Sequence, residues 1–367
     1  MCAWYAVSLP CPIDPADYTL SPADPVEYQD ILRKAEPVYR AAVNGANSII
    51  SGQPSNLLYT GNSDGRLIEL DLEYNSAESL LFTGNPHHAL PLPCGEYNTE
   101  HLCGRPMGIG MHKNSIIVAD SYLGLLSINK KTQRKSVISA RKAPDNRHPY
   151  GSLHSVFVAD DGRIFFTDSS YMFRNRDAPL AFLDARPFGR LFQYSPKSKK
   201  VTTLAEKLHY PAGVLLSKDG SYLLVAERTA ARIIKYHLTG KKKGKTEVWK
   251  DRLPMFPEEL SFDVDGKVWV CGNKRDWRES WAQTEWVRTF AARTLTPPTI
   301  GWLFESGESS VLRLDPSSGK VLNAYTDSSG RNGAITSAFA HGEYVYFGSN
   351  KRSVNYIPRM SREKLGL

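Results

Sequence analysis

A short β-rich run, a small or acidic residue, a few polar residues and a second β-rich run recur along this chain. Self-similarity of that kind decides architecture before any single residue does. The pattern appears as Leu57–Gly61 with Arg66–Leu70, Ile116–Asp120 with Gly124–Ile128, and Ile164–Asp168 with Gly189–Tyr194. It returns as Tyr222–Glu227 with Arg232–Tyr236, Val268–Gly272 with Ser310–Leu314, and Tyr344–Gly348 with Ser353–Ile357. Asp161-Gly162, Asp219-Gly220 and Asp265-Gly266 stand directly before strand-like runs, where a tight turn needs positive φ. Counted from the last residue of each first run (Gly61, Asp120, Asp168, Glu227, Gly272, Gly348), the steps are 59, 48, 59, 45 and 76 residues. Six such units predict an all-β fold, a six-bladed β-propeller. A parallel α/β fold would need helices between the strands, and the pattern has none.

The long fifth step holds a tract at about 277–303 that leaves the strand pattern and carries Trp277, Trp281, Trp286 and Trp302, four of the seven tryptophans. Ala282, Trp286 and Phe290 recur at i, i+4 and i+8, which predicts a helix with one apolar face, Arg278, Glu285, Arg288 and Arg293 being turned elsewhere. Such a helix packs over the propeller as a lid insertion, or touches a membrane or partner, since Trp and Arg favour that boundary. The tract ends at Pro297-Pro298. The organisation expected is an N-terminal extension over residues 1–40 and a propeller over residues 41–367. No run reaches the roughly 18 apolar residues of a membrane span. Residues 1–13 are uncharged and compatible with the remnant of a membrane anchor.

Lys and Arg number 46 against 38 Asp and Glu, a net charge of +8. The clusters Lys197–Lys200 and Lys241–Lys245 sit between strand-like runs and are expected to be solvated hairpin tips. Nothing resembles a nucleic-acid-binding domain, so no nucleic-acid partner is expected. No GxSxG elbow, HExxH helix or phosphate loop occurs. Cys271 falls inside a strand and reads as a small buried hydrophobe. Cys94 and Cys103 flank a short polar loop near His87, His88 and His101. A zinc site could be drawn from these residues, but no C-x2-C spacing supports it, and a disulfide is preferred. That bridge would contribute about 2–3 kcal/mol by restricting the unfolded chain and would imply an oxidising compartment.

Cys103-Gly104-Arg105-Pro106-Met107-Gly108-Ile109, with Val118-Ala119-Asp120-Ser121-Tyr122-Leu123-Gly124-Leu125, resembles the signature of the strictosidine synthase-like family. Phe166–Ser170, Ala226–Ile233 and Phe256-Pro257 extend the resemblance, and Pro12–Pro15 resembles the segment after the membrane anchor of animal members. The resemblance covers about residues 12–360. It implies a six-bladed propeller, a disulfide at Cys94 and Cys103, and an endomembrane or secreted location. In strictosidine synthase itself a glutamate of the last blade catalyses a Pictet–Spengler condensation. Thr336 stands at that position, and a hydroxyl cannot replace the carboxylate base.

Animal members resemble paraoxonases and related lactonases, which hold calcium on the propeller axis. The resemblance places Asn47, His154, Ala212 and the pair Glu258-Glu259 at the ligand positions, and Met107 where a catalytic histidine stands in paraoxonases. One reading follows in which Asn47, His154, Glu258 and Glu259 hold one divalent metal ion. Ca²⁺ is the family's ion; imidazole with carboxylates suits Zn²⁺ or Mn²⁺. The metal would activate water against a small-molecule ester or lactone, with His154 or Glu258 as catalytic proton acceptor. The substrate would lie between that cluster and a pocket formed by Trp277, Trp281, Trp286 and Thr336. The competing reading makes the cluster a polar plug, His154 bonding a glutamate, in a non-catalytic binding scaffold.

Overall fold

The computed structural model describes residues 9–52, 54–141, 148–304 and 307–367. Six four-stranded antiparallel sheets are arranged as blades around an axis. The innermost strands, blades I to VI in order, are Ile49–Ser51, Pro106–His112, Leu153–Val158, Pro211–Leu216, Met255–Phe262 and Ile335–His341. The strand pairs read from the sequence are the second and third strands of each blade: apolar, β-branched and buried on both faces between neighbouring blades. Gly162, Gly220 and Gly266 adopt φ of 81°, 69° and 77°, as the Asp-Gly turns require. Both lysine clusters are exposed hairpin tips.

The strand expected at Ser353–Ile357 lies further on, at Ile357–Ser361. Residues 354 and 355 turn their carbonyls to the N-terminal segment instead, accepting from Gly45 and Ala41 amides at 3.0 and 2.7 Å. The outer strand of blade VI comes from the other end of the chain. Glu36–Val38 pairs antiparallel with Ile357–Arg359 and closes the ring. The boundary expected at residue 40 therefore cuts between a closing strand and its blade. Upstream, Leu32 is fully buried in the cluster of Trp269, Tyr325 and Phe347, and Gln29 forms a parallel bridge to Tyr325.

Buried carboxylates at strand ends lock the loops of several blades. Asp120 accepts the Tyr122, Leu123 and Arg105 amides at 2.9, 3.0 and 2.9 Å. Asp168 accepts the Ser152 amide at 2.8 Å and pairs with Arg190 at 2.6 Å, and Glu227 accepts the His209 amide at 2.8 Å. These bonds explain the recurrent acidic residue that ends the first β-rich run.

The tract at 277–303 is three helices rather than one. Numbering helices along the chain, α1 is Glu100–Cys103, α2 Ala178–Asp184, α3 Arg278–Ala282, α4 Glu285–Thr294 and α5 Pro297–Phe304. The helix breaks at Thr284, which is extended, and Pro297 opens a helix instead of ending the tract. The buried stripe of α4 is Arg288, Ala291 and Ala292. Arg288, expected outside, donates to the Leu183 and Ala16 carbonyls at 2.8 and 2.7 Å, satisfying acceptors that a helix end and a loop would otherwise bury unpaired. Trp286 and Phe290, expected inside, are 71% and 48% exposed. No helix among the described residues is long and apolar enough to cross a membrane.

Leu32→Ala is expected to cost about 2–5 kcal/mol in urea unfolding, the range for deleting a buried leucine side chain. A change below about 0.5 kcal/mol would mean that the segment before the closing strand stands outside the cooperative fold.

Candidate active site

The inner strands of blades II to VI share one irregularity. Their pairing slips between Pro106 and Gly108, Leu153 and Val156, Pro211 and Val214, Pro257 and Leu260, and Ile335 and Ser337. A bulge re-aims side chains, and here it contains Met107, His154, Ala212, Glu258-Glu259 and Thr336. Asn47 precedes the inner strand of blade I, and all of these residues are buried. The approach is close: a Cβ on Gly213 would stand 2.5 Å from the Glu258 carbonyl oxygen.

The residues expected as one ligand set divide into two groups. Asn47 donates from Nδ2 to the Met107 carbonyl at 3.0 Å, and its Oδ1 accepts from the Thr336 hydroxyl at 2.8 Å. Thr336 thus braces Asn47 and is no part of a lid pocket. His154 and the two glutamates form the other group. His154 Nε2 lies 3.2 Å from Glu258 Oε2, and Arg228 Nε lies 2.8 Å from Glu258 Oε1. Ser155 donates its hydroxyl to Glu259 Oε2 at 2.9 Å. Burial pushes Glu258 up, but Arg228 and His154 outweigh it and hold the carboxyl below the usual range. Glu259 is raised to about 7, by burial first, against the pull of His154 and Ser155 and with the repulsion of Glu258 added. Two adjacent carboxyls are therefore set apart, one held ionised and the other titrating near neutrality.

Among the described residues Asn47, His154, Glu258 and Glu259 are not gathered as one cation site. Asn47 is committed to Met107 and Thr336, and the guanidinium of Arg228 already stands on Glu258, where a metal's charge would be needed. Among the described residues no group of three or more His, Cys, Asp or Glu side chains is placed to hold a metal ion. Cys94 and Cys103 form a disulfide, which removes both from the alternative zinc set, and Cys271 is buried in its strand.

His154 and Glu258 line an open cavity of about 280 Å³ with Met107, Tyr210 and Arg228. Its lining also includes Gly95, Tyr97 and Glu100, with Asn175, Ala178 and Pro179 next to them. Trp277, Trp281 and Trp286 are not among the lining residues. They stand 63%, 52% and 71% exposed, and α4, which bears Trp286, turns Arg288, Ala291 and Ala292 inward instead. The lid touches the cavity wall through α5, where a Cβ on Gly301 would lie 3.3 Å from Pro179 Cγ. The residue the sequence reading passed over is Arg228. Its only signal was its place in Ala226-Glu227-Arg228-Thr229, just past a strand end on the face where the loops converge.

Comparison with known proteins agrees with this fold. The strictosidine synthase family profile matches residues 154–241. Adipocyte plasma membrane-associated protein of Danio rerio is 30% identical over 328 residues, which cover 87% of this chain and 76% of that one. The chain belongs to the strictosidine synthase-like family. Among solved structures, a gluconolactonase from Xanthomonas campestris superposes with a TM-score of 0.58 at 13% identity, covering 95% of this chain and 99% of that one. Regucalcin from Agrobacterium tumefaciens, described as a calcium-binding protein, gives 0.52 at 14% identity, covering 89% and 87%. Those two likenesses establish that this family member shares their fold.

Glu259 makes stability pH-dependent. Its proton is held to about pH 7 in the folded chain but lost near the model-peptide value of 4.5 when unfolded. The stabilisation is complete below 4.5 and declines as pH rises to about 7, by up to about 3 kcal/mol. Glu259→Gln is expected to flatten the fall in Tm across that window; an unchanged slope would refute the assignment.

Proposed function

We propose that this propeller hydrolyses esters or lactones at its axial cavity with its own side chains and no resident metal ion. The observation that carries the reading is His154 set against Glu258 within the cavity, its Nδ1 having no hydrogen-bond partner among the described residues. With Nε2 facing Glu258 at 3.2 Å, a neutral His154 is taken to carry its proton there and its lone pair on the buried Nδ1, a tautomer assigned here from the geometry. Nδ1 takes a proton from water as the water oxygen adds to the carbonyl carbon. Glu258 stabilises the imidazolium, and Arg228 supplies positive charge toward the developing oxyanion. Collapse breaks the bond to the leaving oxygen, which receives the proton from Nδ1. Below about pH 7 the protonated form of Glu259 spares the site a second negative charge. The lactonase names among the structural neighbours support this class of reaction.

Phenyl acetate is the first substrate to test, with and without EDTA. Turnover is expected to survive EDTA and to fall by about 10²–10⁴ in His154→Ala and Glu258→Gln, with Tm reported alongside. Turnover abolished by EDTA and restored by Ca²⁺, Mn²⁺ or Zn²⁺ would return the axis to metal chemistry. No turnover of any aryl ester or lactone would favour the binding scaffold.

The lid completes the proposal. Trp277, Trp281, Trp286, Phe290 and Trp302 are exposed, and tryptophan suits the membrane–water boundary. Beneath them Ile13 packs among Leu180, Leu183, Ala291 and Ile300, with Cys11 against the same cluster. This face is the one assigned to lipid, in keeping with the name of the Danio rerio relative and with a disulfide-compatible compartment. Full-length protein is expected to co-sediment with phosphatidylcholine vesicles. Trp286→Ser with Trp302→Ser should weaken binding at least about tenfold while leaving phenyl acetate turnover intact; undiminished binding would exclude the lid.

A further inference from the structure

The cavity that holds His154 and Glu258 is lined by more positive than negative charge. Arg105, Arg176, Arg228 and Lys351 face Glu100 and Glu258 across about 280 Å³. Arg228 is matched by Glu258 at 2.8 Å, and Arg176 lies 3.7 Å from Asp177, whose other oxygen accepts from Tyr97 at 2.7 Å. Arg105 and Lys351 are less well matched. Arg105 is only 4% exposed; its Nη2 donates to the carbonyl of Asn350, the residue before Lys351, at 2.9 Å, and Arg105 and Lys351 line the same cavity. Its Nε lies 3.2 Å from Glu100, while its Nη1 has no hydrogen-bond partner among the described residues. A buried guanidinium edge left unmatched is costly unless a ligand completes it.

Glu100 does little to discharge this pair. Its Oε2 accepts from the Tyr122 hydroxyl at 2.5 Å and its Oε1 from Asn175 at 2.8 Å. Burial raises its carboxyl despite the opposing pull of Arg105, so its negative charge is disfavoured. Lys351 has no carboxylate partner among the described residues and is partly exposed at the rim.

We propose that the axial cavity selects substrates bearing a carboxylate, which seats on Arg105 and Lys351 while the ester or lactone carbonyl meets His154. A planar carboxylate matches a guanidinium fork, and one ammonium beside it satisfies the second oxygen. This inference rests on the hydrolase reading, and the test separates the two. The full-length protein is assayed on 4-acetoxybenzoate and on its neutral methyl ester. The acid is expected to be turned over with a kcat/KM at least about tenfold higher, the advantage shrinking in about 0.5 M NaCl. Lys351→Gln and Arg105→Gln are expected to remove most of that advantage while leaving the neutral ester's kcat within about twofold. Lys351 is the rim residue, so its variant remains decisive even where Arg105→Gln fails to fold. A preference for the neutral ester, or a preference for the acid that both variants retain, overturns the proposal. Where neither ester is hydrolysed, the hydrolase reading falls and calorimetry with benzoate decides the anion site. Benzoate binding weakened by Lys351→Gln upholds it, and absence of binding, or tighter binding of phenyl phosphate, overturns it.

Discussion

The ring depends on one antiparallel pairing made across almost the whole chain. Glu36–Val38 supplies the outer strand of blade VI, against Ile357–Arg359, with Arg359 Nε bonded to Glu36 at 2.9 Å across 323 residues. Without it the last blade would expose an unpaired edge. Closure carries a loop-entropy cost that must be met by contacts formed late, and the burial of Leu32 just upstream shows where much of that return lies. Inner strands can crowd the axis closely only because the circle is complete. Gly108 and Gly213, whose added Cβ atoms would stand 2.6 and 2.5 Å from neighbouring carbonyl oxygens, mark how tight that crowding is.

The same chemical device serves structure and site. Asp120, Asp168 and Glu227 are buried carboxylates answered by backbone amides and, for two of them, by arginine. They fix the loops that rise from the blades. Glu258 is also a buried carboxylate answered by arginine, but its second oxygen faces an imidazole in an open cavity rather than a loop amide. The step from scaffold to candidate chemistry is thus small: a bulge turns one carboxylate inward, and Ser155 keeps its neighbour Glu259 in a separate bonding environment.

Strand positions were legible because strands buried on both faces between blades read as continuous apolar, β-branched runs, and Asp-Gly turns leave a local trace at Asp161, Asp219 and Asp265. The disulfide was legible from two cysteines nine residues apart beside a polar loop. What lacked a local trace was direction. Periodicity in the lid tract favoured Trp286 as the buried residue, yet Arg288 went inside because two carbonyls contributed by remote segments awaited a donor. Arg228 and Arg105 sit in motifs that identify the family, but their pairing with Glu258 and Glu100 follows from how blades meet. His154 and Glu258 were legible as neighbours through the family resemblance, whereas the separation of Asn47 from them depends on its bonds to Met107 and Thr336.

The Cys94–Cys103 bridge also ties the cavity mouth to the blades. It fastens the segment bearing Gly95, Tyr97 and Glu100 to the start of blade II, and Tyr122 clamps Glu100 from the same blade. Asn175 and Asp177 are bonded in turn to Glu100 and Tyr97, and Pro179 lies against Gly301 of the lid. Disulfide, mouth and lid thus form one linked series, so that whatever surface the lid rests on is mechanically connected to the entrance.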